Sequence, residues 1–374
     1  MIPYGKQTID DDDINAVVDV LMSDWITTGP KIKEFEESIC KYTGAQHSTV
    51  VNSGTSALDI AVQALSLPEN SEAITTPFTF ASTSNALLYN RVKPVFADIL
   101  PDTHNINPDE IRKKITDRTR AIICVDFAGH PCDMQELKEI AAEYNLLLIE
   151  DACHALGAEY HNKKVGTLAD MTILSFHPVK HVTTGEGGAV TTQNKEYYDT
   201  IQMLRSHGID KNTMSRSGPQ GDWAYDMKYL GRNYRMTDFQ AALGISQMKK
   251  LDTFINRRKE IADYYNHAFS DVEGISTPVT KPYVRHAWHI YTVLLKNHNR
   301  DAVFKQLRSA GIGVNVHYIP IYKFSYYQQN LPQKEQFPVS EETYKSIITL
   351  PLFPQMTNEN ADQVISSVKS ALEK

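Results

Sequence analysis

The stretch Leu174-Ser-Phe-His-Pro-Val-Lys-His-Val-Thr-Thr-Gly-Glu-Gly-Gly188 places one lysine, Lys180, among small and turn-forming residues. The apolar run Met171–Phe176 leads into it, and Ala189-Val-Thr-Thr192 follows the glycines. This order predicts a strand, a tight loop and a second strand. Partial burial at the end of a strand lowers the pKa of an amine and frees its lone pair, so Lys180 is a candidate for Schiff-base chemistry. An ordinary surface or ion-paired lysine is the alternative that this stretch alone leaves open.

Short apolar strands alternate with helices on the N-terminal side of this stretch. A helix is predicted from Asn52 to about Leu65, and another follows the cap at Asp133. The predicted strands are Ala73–Thr76, Lys93–Ala97, Ala121–Val125 and Leu146–Ile149. The alternation predicts an α/β fold with a mainly parallel sheet and helices on both sides.

The C-terminal part of the chain has a different pattern. One long helix is predicted from about Thr237 to residue 269. Beyond it, Trp288–Leu295 and Ile312–Val316 read as strands, Asp301–Ala310 reads as a helix, and two helices finish the chain. We therefore predict a large domain of residues 1–250 and a smaller α+β domain of residues 251–374, with the boundary near residues 250–275.

Composition narrows the class of protein. The 374 residues are 41% hydrophobic and 22% charged, with a formal net charge of -7, which disfavours a nucleic-acid binder. No apolar run approaches the roughly 20 residues of a membrane span, and the N-terminus lacks signal-peptide features, so we expect no membrane segment. The four cysteines form no CxxC pair and no zinc-site spacing, which favours reduced thiols, a cytoplasmic location and no metal.

A carboxylate follows the predicted strand Leu146–Ile149. Asp151 lies at the carboxyl end of that strand, the edge at which open α/β sheets bind ligands. A lysine and a carboxylate at one edge suit pyridoxal phosphate, because the carboxylate keeps the pyridine nitrogen protonated. His154 could donate to the phenolic oxygen of the ring. A structural cap at Asp151 and an ordinary loop histidine are the alternatives.

Ser53-Gly54-Thr55-Ser56 opens a predicted helix, so free backbone N–H groups and the helix dipole favour an anion there. Gly54 permits close approach of a phosphate, and Thr55, Ser56 and the more distant Ser175 add hydroxyl groups. Phe80 could stack on the cofactor ring. A plain helix cap and a core phenylalanine remain open alternatives.

The motifs taken together resemble the DegT/DnrJ/EryC1/StrS family of pyridoxal-phosphate-dependent sugar aminotransferases. The resemblance runs nearly end to end. Its anchors are Trp25-Ile-Thr-Thr-Gly29, Asn52-Ser-Gly-Thr-Ser-Ala57, Glu150-Asp-Ala-Cys-His-Ala-Leu-Gly157, Ser175-Phe-His-Pro-Val-Lys180, Thr183-Thr-Gly-Glu-Gly-Gly188 and Gly231-Arg-Asn-Tyr-Arg-Met-Thr-Asp238. It implies an aspartate-aminotransferase-type fold and a homodimer with two shared active sites.

The resemblance also assigns roles to matching positions. Lys180 matches the family's Schiff-base lysine, which also transfers a proton during the reaction. Asp151 matches the residue that pairs with the pyridine nitrogen of the cofactor. The remaining cofactor-binding positions that it implies are Gly54, Thr55, Ser56, Phe80, His154, Ser175 and, from the other subunit, Asn233. The implied amino donor is L-glutamate, and the implied acceptor is a nucleotide-linked ketosugar.

Within the family, the segment 315–328 resembles the branch that makes UDP-4-amino-4,6-dideoxy-N-acetyl-β-L-altrosamine, a precursor of pseudaminic acid. The substrate-binding positions implied by this likeness are Tyr4, Asp24, Trp25, Ile26, Thr27, His317, Tyr318, Ile319 and Pro320, with Arg235 as a further candidate. Packing of these aromatic rings in a cleft and a structural ion pair at Arg235 are the alternatives. Another UDP- or dTDP-ketosugar, a dehydratase and a non-catalytic DegT-like regulator remain rival functions.

Overall fold

The structure is a computed structural model that describes residues 1–210 and 225–373. Its strands in this part of the chain are β1 His47–Val51, β2 Glu72–Thr75, β3 Lys93–Phe96, β4 Thr119–Val125, β5 Leu147–Asp151, β6 Glu159–Tyr160, β7 Lys163–Lys164, β8 Met171–Ser175, β9 Gly188–Thr192, β10 Ile209–Asp210, β11 Asp226–Met227, β12 Ile275–Ser276, β13 Val284–Arg285, β14 Tyr291–Leu295 and β15 Ile347–Leu350.

The α-helices in the same residues are α1 Asp11–Leu21, α2 Pro30–Thr43, α3 Gly54–Ala64, α4 Ala81–Tyr89, α5 Pro108–Lys114, α6 Met134–Glu143, α7 Lys195–Leu204, α8 Asp238–Met248, α9 Leu251–Phe269, α10 Arg300–Ser309, α11 Ser325–Asn330, α12 Pro338–Ser346 and α13 Asn358–Leu372. Short 3₁₀ turns occur at Phe127–Gly129 and Ile321–Lys323.

A seven-stranded sheet with the order β1-β9-β8-β5-β4-β2-β3 forms the centre of the fold. The pairs from β3 across to β8 are parallel, and β9 runs antiparallel to both β8 and β1. The α/β class with a mainly parallel sheet is therefore confirmed. The parallel strands end together, so the ends of β5 and β8 and the loops after β2 and β4 meet at one edge.

The central strands are apolar on both faces because helices cover both faces. Along β4, Ile122 and Cys124 pack into one hydrophobic cluster with Leu148. Their neighbours Ala121 and Ile123 pack into a second cluster on the opposite face, together with Ile149. The alternation of side chains along a strand thus explains why these segments are continuous apolar runs.

The C-terminal part packs around its own cluster, which the strands β14 and β15 and the helices α10 and α13 supply. Two sequence expectations are wrong here. Ile312–Val316 forms no strand; it makes only isolated bridges, Ile2 with Ile312 and Asn315 with Thr349. The strand expected to begin at Trp288 begins at Tyr291, because residues 287 and 289 bond instead to the loop after β4.

The long helix expected from Thr237 to residue 269 is two helices, α8 and α9, that break at Lys249 and Lys250. Helix α8 packs on α1 and α2. Helix α9 has Leu251 and Ile255 in the large cluster and Ile261 and Tyr265 in the C-terminal cluster, so it joins the two. The division into two domains at residue 250 stays a prediction.

Candidate active site

A cleft of about 470 Å³ lies where the carboxyl edge of the large sheet faces the C-terminal part of the chain. Strand β5 contributes Asp151, strand β8 contributes Ser175, and helix α3 contributes its first turn. The sequence-predicted residues that line this cleft are Tyr4, Gly54, Thr55, Phe80, Asp151, His154, Ser175, Lys180, His317, Tyr318 and Ile319. Positions spread over more than 300 residues of sequence thus converge on one space.

Lys180 lies in the loop between β8 and β9 with its side chain in the cleft. Burial lowers the pKa of its amine to about 8, while Cys153 and Asp151 oppose the shift and Arg258 adds to it. An amine with this pKa is uncharged far more often near neutral pH than an exposed lysine. The uncharged form is the nucleophile, so the expectation drawn from the sequence has a physical basis.

His289 is a cleft residue that the sequence reasoning missed. Its Nε2 lies 3.3 Å from Nζ of Lys180, and its Nδ1 is buried without a partner in the described residues. Burial lowers the pKa of its ring well below the ordinary value, so the ring is a neutral acceptor for the Lys180 amine. In the sequence His289 is one histidine in a presumed strand, and no local signal distinguishes it.

Asp151 ends β5 and is almost fully buried at 4% exposure. The hydroxyl of Thr83 donates to its Oδ2 at 2.7 Å, and the amide of Cys153 donates to its Oδ1 at 3.3 Å. These two donors fix the orientation of the carboxylate. The carboxylate thereby presents a fixed negative charge at the floor of the cleft.

His154 lies one turn after Asp151 and contacts the C-terminal part of the chain. Its Nε2 lies 3.0 Å from the hydroxyl oxygen of Tyr318, and the two rings stack with a centroid separation of 5.9 Å. Its Nδ1 is buried and has no partner in the described residues. Burial lowers the pKa of His154 well below the ordinary value, so it carries a polar nitrogen without a charge.

The first turn of α3 forms a cradle for an anion. Ser53 caps the helix by accepting the amide of Ser56 at 3.0 Å, and the first intrahelical bond runs from the amide of Ala57 to Ser53. The amides of Gly54 and Thr55 therefore point outward from the helix start. A Cβ atom on Gly54 would lie 3.2 Å from Oγ of Ser175, so the glycine keeps that hydroxyl beside the helix start.

Ser56 does not line the cleft. Its hydroxyl donates to Oδ1 of Asn52 at 2.7 Å and is turned into the protein. Its expected role at a phosphate stays a prediction, and the geometry favours an indirect one through the cap.

Aromatic side chains form the wall opposite α3. Phe80 is 60% exposed at the start of α4, and its ring lies 6.3 Å from that of Tyr318. Tyr4 packs against His317 with ring centroids 5.5 Å apart. Ile319 also faces the cleft, whereas Pro320 beside it is buried outside the lining.

Besides Ser56 and Pro320, six further sequence-predicted residues lie outside the cleft of their own chain. Asp24–Thr27 are exposed and precede α2. Thr27 forms a β-bridge with Thr237, and the amide of Asp238 donates to the carbonyl of Ile26 at 3.0 Å. Asn233 is exposed and Arg235 half-buried on the segment that leads to Asp238. The segments 24–27 and 233–235 therefore lie close together on one surface.

The residues present fit pyridoxal phosphate. The amine of Lys180 suits its aldehyde, the carboxylate of Asp151 suits its pyridine nitrogen, and the first turn of α3 suits its phosphate. The unpartnered Nδ1 of His154 offers a polar atom for the remaining ring substituent. Within residues 1–210 and 225–373, no group of three or more His, Cys, Asp or Glu side chains is arranged to hold a metal ion.

None of the helices in the described part of the chain combines the length and the apolar character that crossing a membrane requires.

Known proteins resemble this chain over its whole length. A transaminase from Campylobacter jejuni, named for UDP-4-amino-4,6-dideoxy-N-acetyl-β-L-altrosamine, is 42% identical over 100% of this chain and 98% of its own. The structure of Helicobacter pylori PseC, an aminotransferase involved in the biosynthesis of pseudaminic acid, superposes with a TM-score of 0.94 at 34% identity, covering 100% of this chain and 99% of the other.

A sugar aminotransferase from Streptococcus pneumoniae, described as putative and solved in PMP and PLP forms, gives a TM-score of 0.94 for the PMP form. It is 30% identical and covers 100% of this chain and 99% of the other. The sequence profile of the DegT/DnrJ/EryC1/StrS aminotransferase family matches residues 7–369. The chain therefore belongs to the DegT/DnrJ/EryC1/StrS family and is a pyridoxal-phosphate-dependent sugar aminotransferase.

Proposed function

We propose that this enzyme transfers the amino group of L-glutamate to the C4 ketone of UDP-2-acetamido-2,6-dideoxy-β-L-arabino-hex-4-ulose, giving UDP-4-amino-4,6-dideoxy-N-acetyl-β-L-altrosamine. The observation that carries this proposal is the 42% identity, over both whole chains, with a transaminase named for that product. The reaction belongs to the pathway that leads to pseudaminic acid, the pathway in which the similar H. pylori enzyme is involved.

In this proposal each residue of the cleft has a separate role in the reaction. Bound pyridoxal phosphate supplies an electron sink that makes the α-hydrogen of the amino donor acidic. Lys180 first holds the cofactor and then, as a free amine, takes the proton from the α-carbon of the donor and delivers it onward. Asp151 holds the proton on the pyridine nitrogen, and Thr83 keeps the carboxylate in place for that task.

Aromatic faces in the cleft support a nucleotide sugar as the substrate. The rings of Tyr4 and Tyr318 present flat faces for a sugar or a uracil, and Phe80 presents one for the cofactor ring. Tyr318 is oriented by its bond to His154, so the wall that faces the sugar is coupled to the residue beside the cofactor.

The acceptor is identified by a direct assay. Purified protein is incubated with L-glutamate and a panel of UDP- and dTDP-linked 4-ketosugars, and the product is assigned by NMR. Amination of the UDP-arabino-hexulose supports the proposal. Amination of only a different ketosugar, loss of a hydroxyl group without amination, or no reaction with any of them would each replace it with one of the rival functions.

We further propose that the active enzyme is a homodimer in which each cleft receives residues from the other subunit. Several apolar residues of α1 and the turn after it are exposed, with Ile14 at 52%, Leu21 at 55% and Trp25 at 57%, whereas Val20 of the same helix is buried. Such a stripe on a single chain favours contact with a second copy. The same surface region carries Asp24–Thr27, which the cleft of their own chain does not use.

Mixing two inactive variants tests the shared site. Lys180→Ala and Asn233→Ala are expected to be inactive or nearly so when alone. A mixed dimer contains one cleft with both Lys180 and Asn233, so a subunit-exchanged mixture should recover about a quarter of the wild-type activity. A monomer by light scattering, or no recovery in a mixture shown to have exchanged subunits, would contradict the shared site.

A further inference from the structure

Arg258, near the middle of α9, is buried at 1% exposure at the place where the two hydrophobic clusters meet. No carboxylate of residues 1–210 or 225–373 pairs with it, and burial lowers its pKa to about 10. Burying a cation without a counter-ion lowers the stability of the fold, so we ask what Arg258 contributes in return.

Within the described residues the guanidinium bonds only to backbone carbonyls, and its Nε has no partner there. Its Nη1 donates to His289 at 3.0 Å and to Leu352 at 2.9 Å, and makes a longer contact with Trp288 at 3.4 Å. Its Nη2 reaches the carbonyl of Val179 at 3.5 Å. Arg258 thus joins the residue before Lys180 to the residue whose ring contacts the Lys180 amine.

One of these carbonyl partners also connects Arg258 to the sugar side of the cleft. The amide of Leu352 donates to the carbonyl of Tyr4 at 3.0 Å, so one side chain links the loop of Lys180, the segment of His289 and the N-terminal segment. Guanidinium is suited to this arrangement because its planar fork presents five donors that carbonyl oxygens can share.

Arg258 also acts on Lys180 through its charge. The two cations repel each other, and this repulsion adds to the effect of burial in favouring the uncharged amine. The other charged or titratable groups near the amine are Asp151, Cys153, His154, His177, His181, His289 and His317. Of these groups Asp151 is the one that carries a negative charge, and Thr83 already donates to it.

We propose that Arg258 is a positioning residue for Lys180: it fixes the backbone on both sides of the amine, and its unpaired charge disfavours a second positive charge on that amine. This inference rests on the proposed role of Lys180 as the covalent partner of the cofactor. Arg258 lies outside the cleft lining and acts on the reaction through the groups that it holds in place.

The test measures the amine directly in the cofactor-free protein. The rate at which a trace of fluorodinitrobenzene labels Lys180 is followed from pH 6 to pH 11 by mass spectrometry of the peptide that contains it. Arg258→Gln retains donors for the carbonyls and removes the charge, and Arg258→Lys retains the charge with fewer donors. Arg257→Gln, which removes a half-buried cation that pairs with Glu260 on the same helix, is the matched control.

The labelling midpoint is expected near pH 8 in the wild type and in the Arg257→Gln control. In Arg258→Gln it should rise by about one pH unit, with labelling at pH 7 about tenfold slower. Arg258→Lys should keep the wild-type midpoint while melting at a lower temperature, because it makes fewer bonds to carbonyls.

Equal midpoints in Arg258→Gln and the wild type, or equal upward shifts in both Arg258 variants, would overturn the proposal. If Arg258→Gln does not fold, Arg258→Lys decides alone, since a raised midpoint there shows that the charge is not responsible. Failure here is distinguishable from failure of the proposed function, because the labelling uses neither cofactor nor sugar.

Discussion

Lys180 is surrounded mainly by side chains that are polar without being charged. Burial lowers the pKa of four nearby histidines, His154, His181, His289 and His317, so their rings are neutral near pH 7. A neutral imidazole ring can accept a hydrogen bond from the amine. It stabilises the charged ammonium less than a carboxylate would. The site therefore combines a positioned amine with a low tendency to hold a proton.

The lowered pKa of Lys180 predicts how fast the cofactor-free protein captures pyridoxal phosphate. The fraction of uncharged amine rises about tenfold per pH unit below the pKa and then levels off. The capture rate should therefore climb steeply up to about pH 8 and flatten above it. Stopped-flow absorbance between pH 6 and pH 10 measures this rate, and a climb that continues to pH 10 would show an ordinary lysine.

Asp151→Asn is expected to reduce turnover by at least about 100-fold, because the neutral amide cannot hold the proton on the pyridine nitrogen. The change preserves size, and the bond with Thr83 can be kept through the amide oxygen. Steady-state kinetics with glutamate and the identified ketosugar measure the effect. Asp199→Asn, which alters an exposed i,i+4 pair with Lys195, is the matched control and should leave turnover unchanged.

At the scale of the element, the loop between β8 and β9 and the first turn of α3 are built against each other. A Cβ atom on Gly188 would come within 2.5 Å of the carbonyl oxygen of Ser53 and 2.7 Å of the amide nitrogen of Gly54. Strand β9 must therefore begin with glycine for the phosphate cradle to lie beside the lysine loop. This contact explains why a glycine-rich turn is needed after Lys180.

Gly188→Ala should displace the start of α3, weaken the binding of inorganic phosphate and pyridoxal phosphate, and cost about 1–3 kcal/mol of stability. Gly185→Ala is the control in the same loop. Its Cβ would meet no atom of the described residues within 4 Å, but its φ of +77° imposes strain of about 1 kcal/mol. Calorimetric titration with cofactor and urea unfolding separate the two effects. Equal cofactor affinity in the two variants would contradict a role for Gly188 in the cradle.

The strands and the cleft residues next to them could be predicted from the sequence. The segments that connect the strands and helices could be predicted less well. Asp151, Lys180 and the helix cap at Ser53 are marked by local patterns, because strand ends and caps depend on neighbouring residues. The break between α8 and α9 carries no proline or glycine that would mark it, and α8 packs on α1 and α2. The failure of Ile312–Val316 to form a strand likewise depends on what lies beside it.

At the scale of the whole molecule, the interior holds an unusual number of neutral histidines. Among residues 1–210 and 225–373 seven are buried, and burial is the first cause of the lowered pKa of each: His104, His130, His154, His181, His286, His289 and His317. The folded protein resists protonation at these positions. The unfolded chain does not, and this difference makes stability depend on pH.

The free energy of unfolding is expected to fall by several kcal/mol between pH 7 and pH 5. Below pH 6.5 the unfolded chain binds more protons, which costs about 1.4 kcal/mol per pH unit for each neutral buried histidine. The buried pair Asp126 and Glu150 acts in the opposite sense, because its raised pKa values make the folded state bind protons more tightly. Seven histidines outweigh these two carboxyls.

Urea unfolding at pH 7, 6 and 5 measures this dependence on pH. His104→Phe replaces a buried imidazole that has an unpartnered nitrogen in the described residues, so the free energy of unfolding should change less with pH in this variant. His267→Gln on the surface should leave the pH dependence unchanged. A free energy of unfolding that stays constant from pH 7 to pH 5 would contradict the expectation.

The sequence by itself determined the alternation of strands and helices, the family and the positions of Lys180, Asp151 and the α3 cap, because each depends on neighbours in the chain. Only the tertiary structure decided that His289 contacts the lysine, that Arg258 lies behind it, and that Asp24–Thr27 and Asn233 share a surface away from their own cleft. Those relations join residues distant in sequence, and they depend on how the C-terminal part packs against the edge of the sheet.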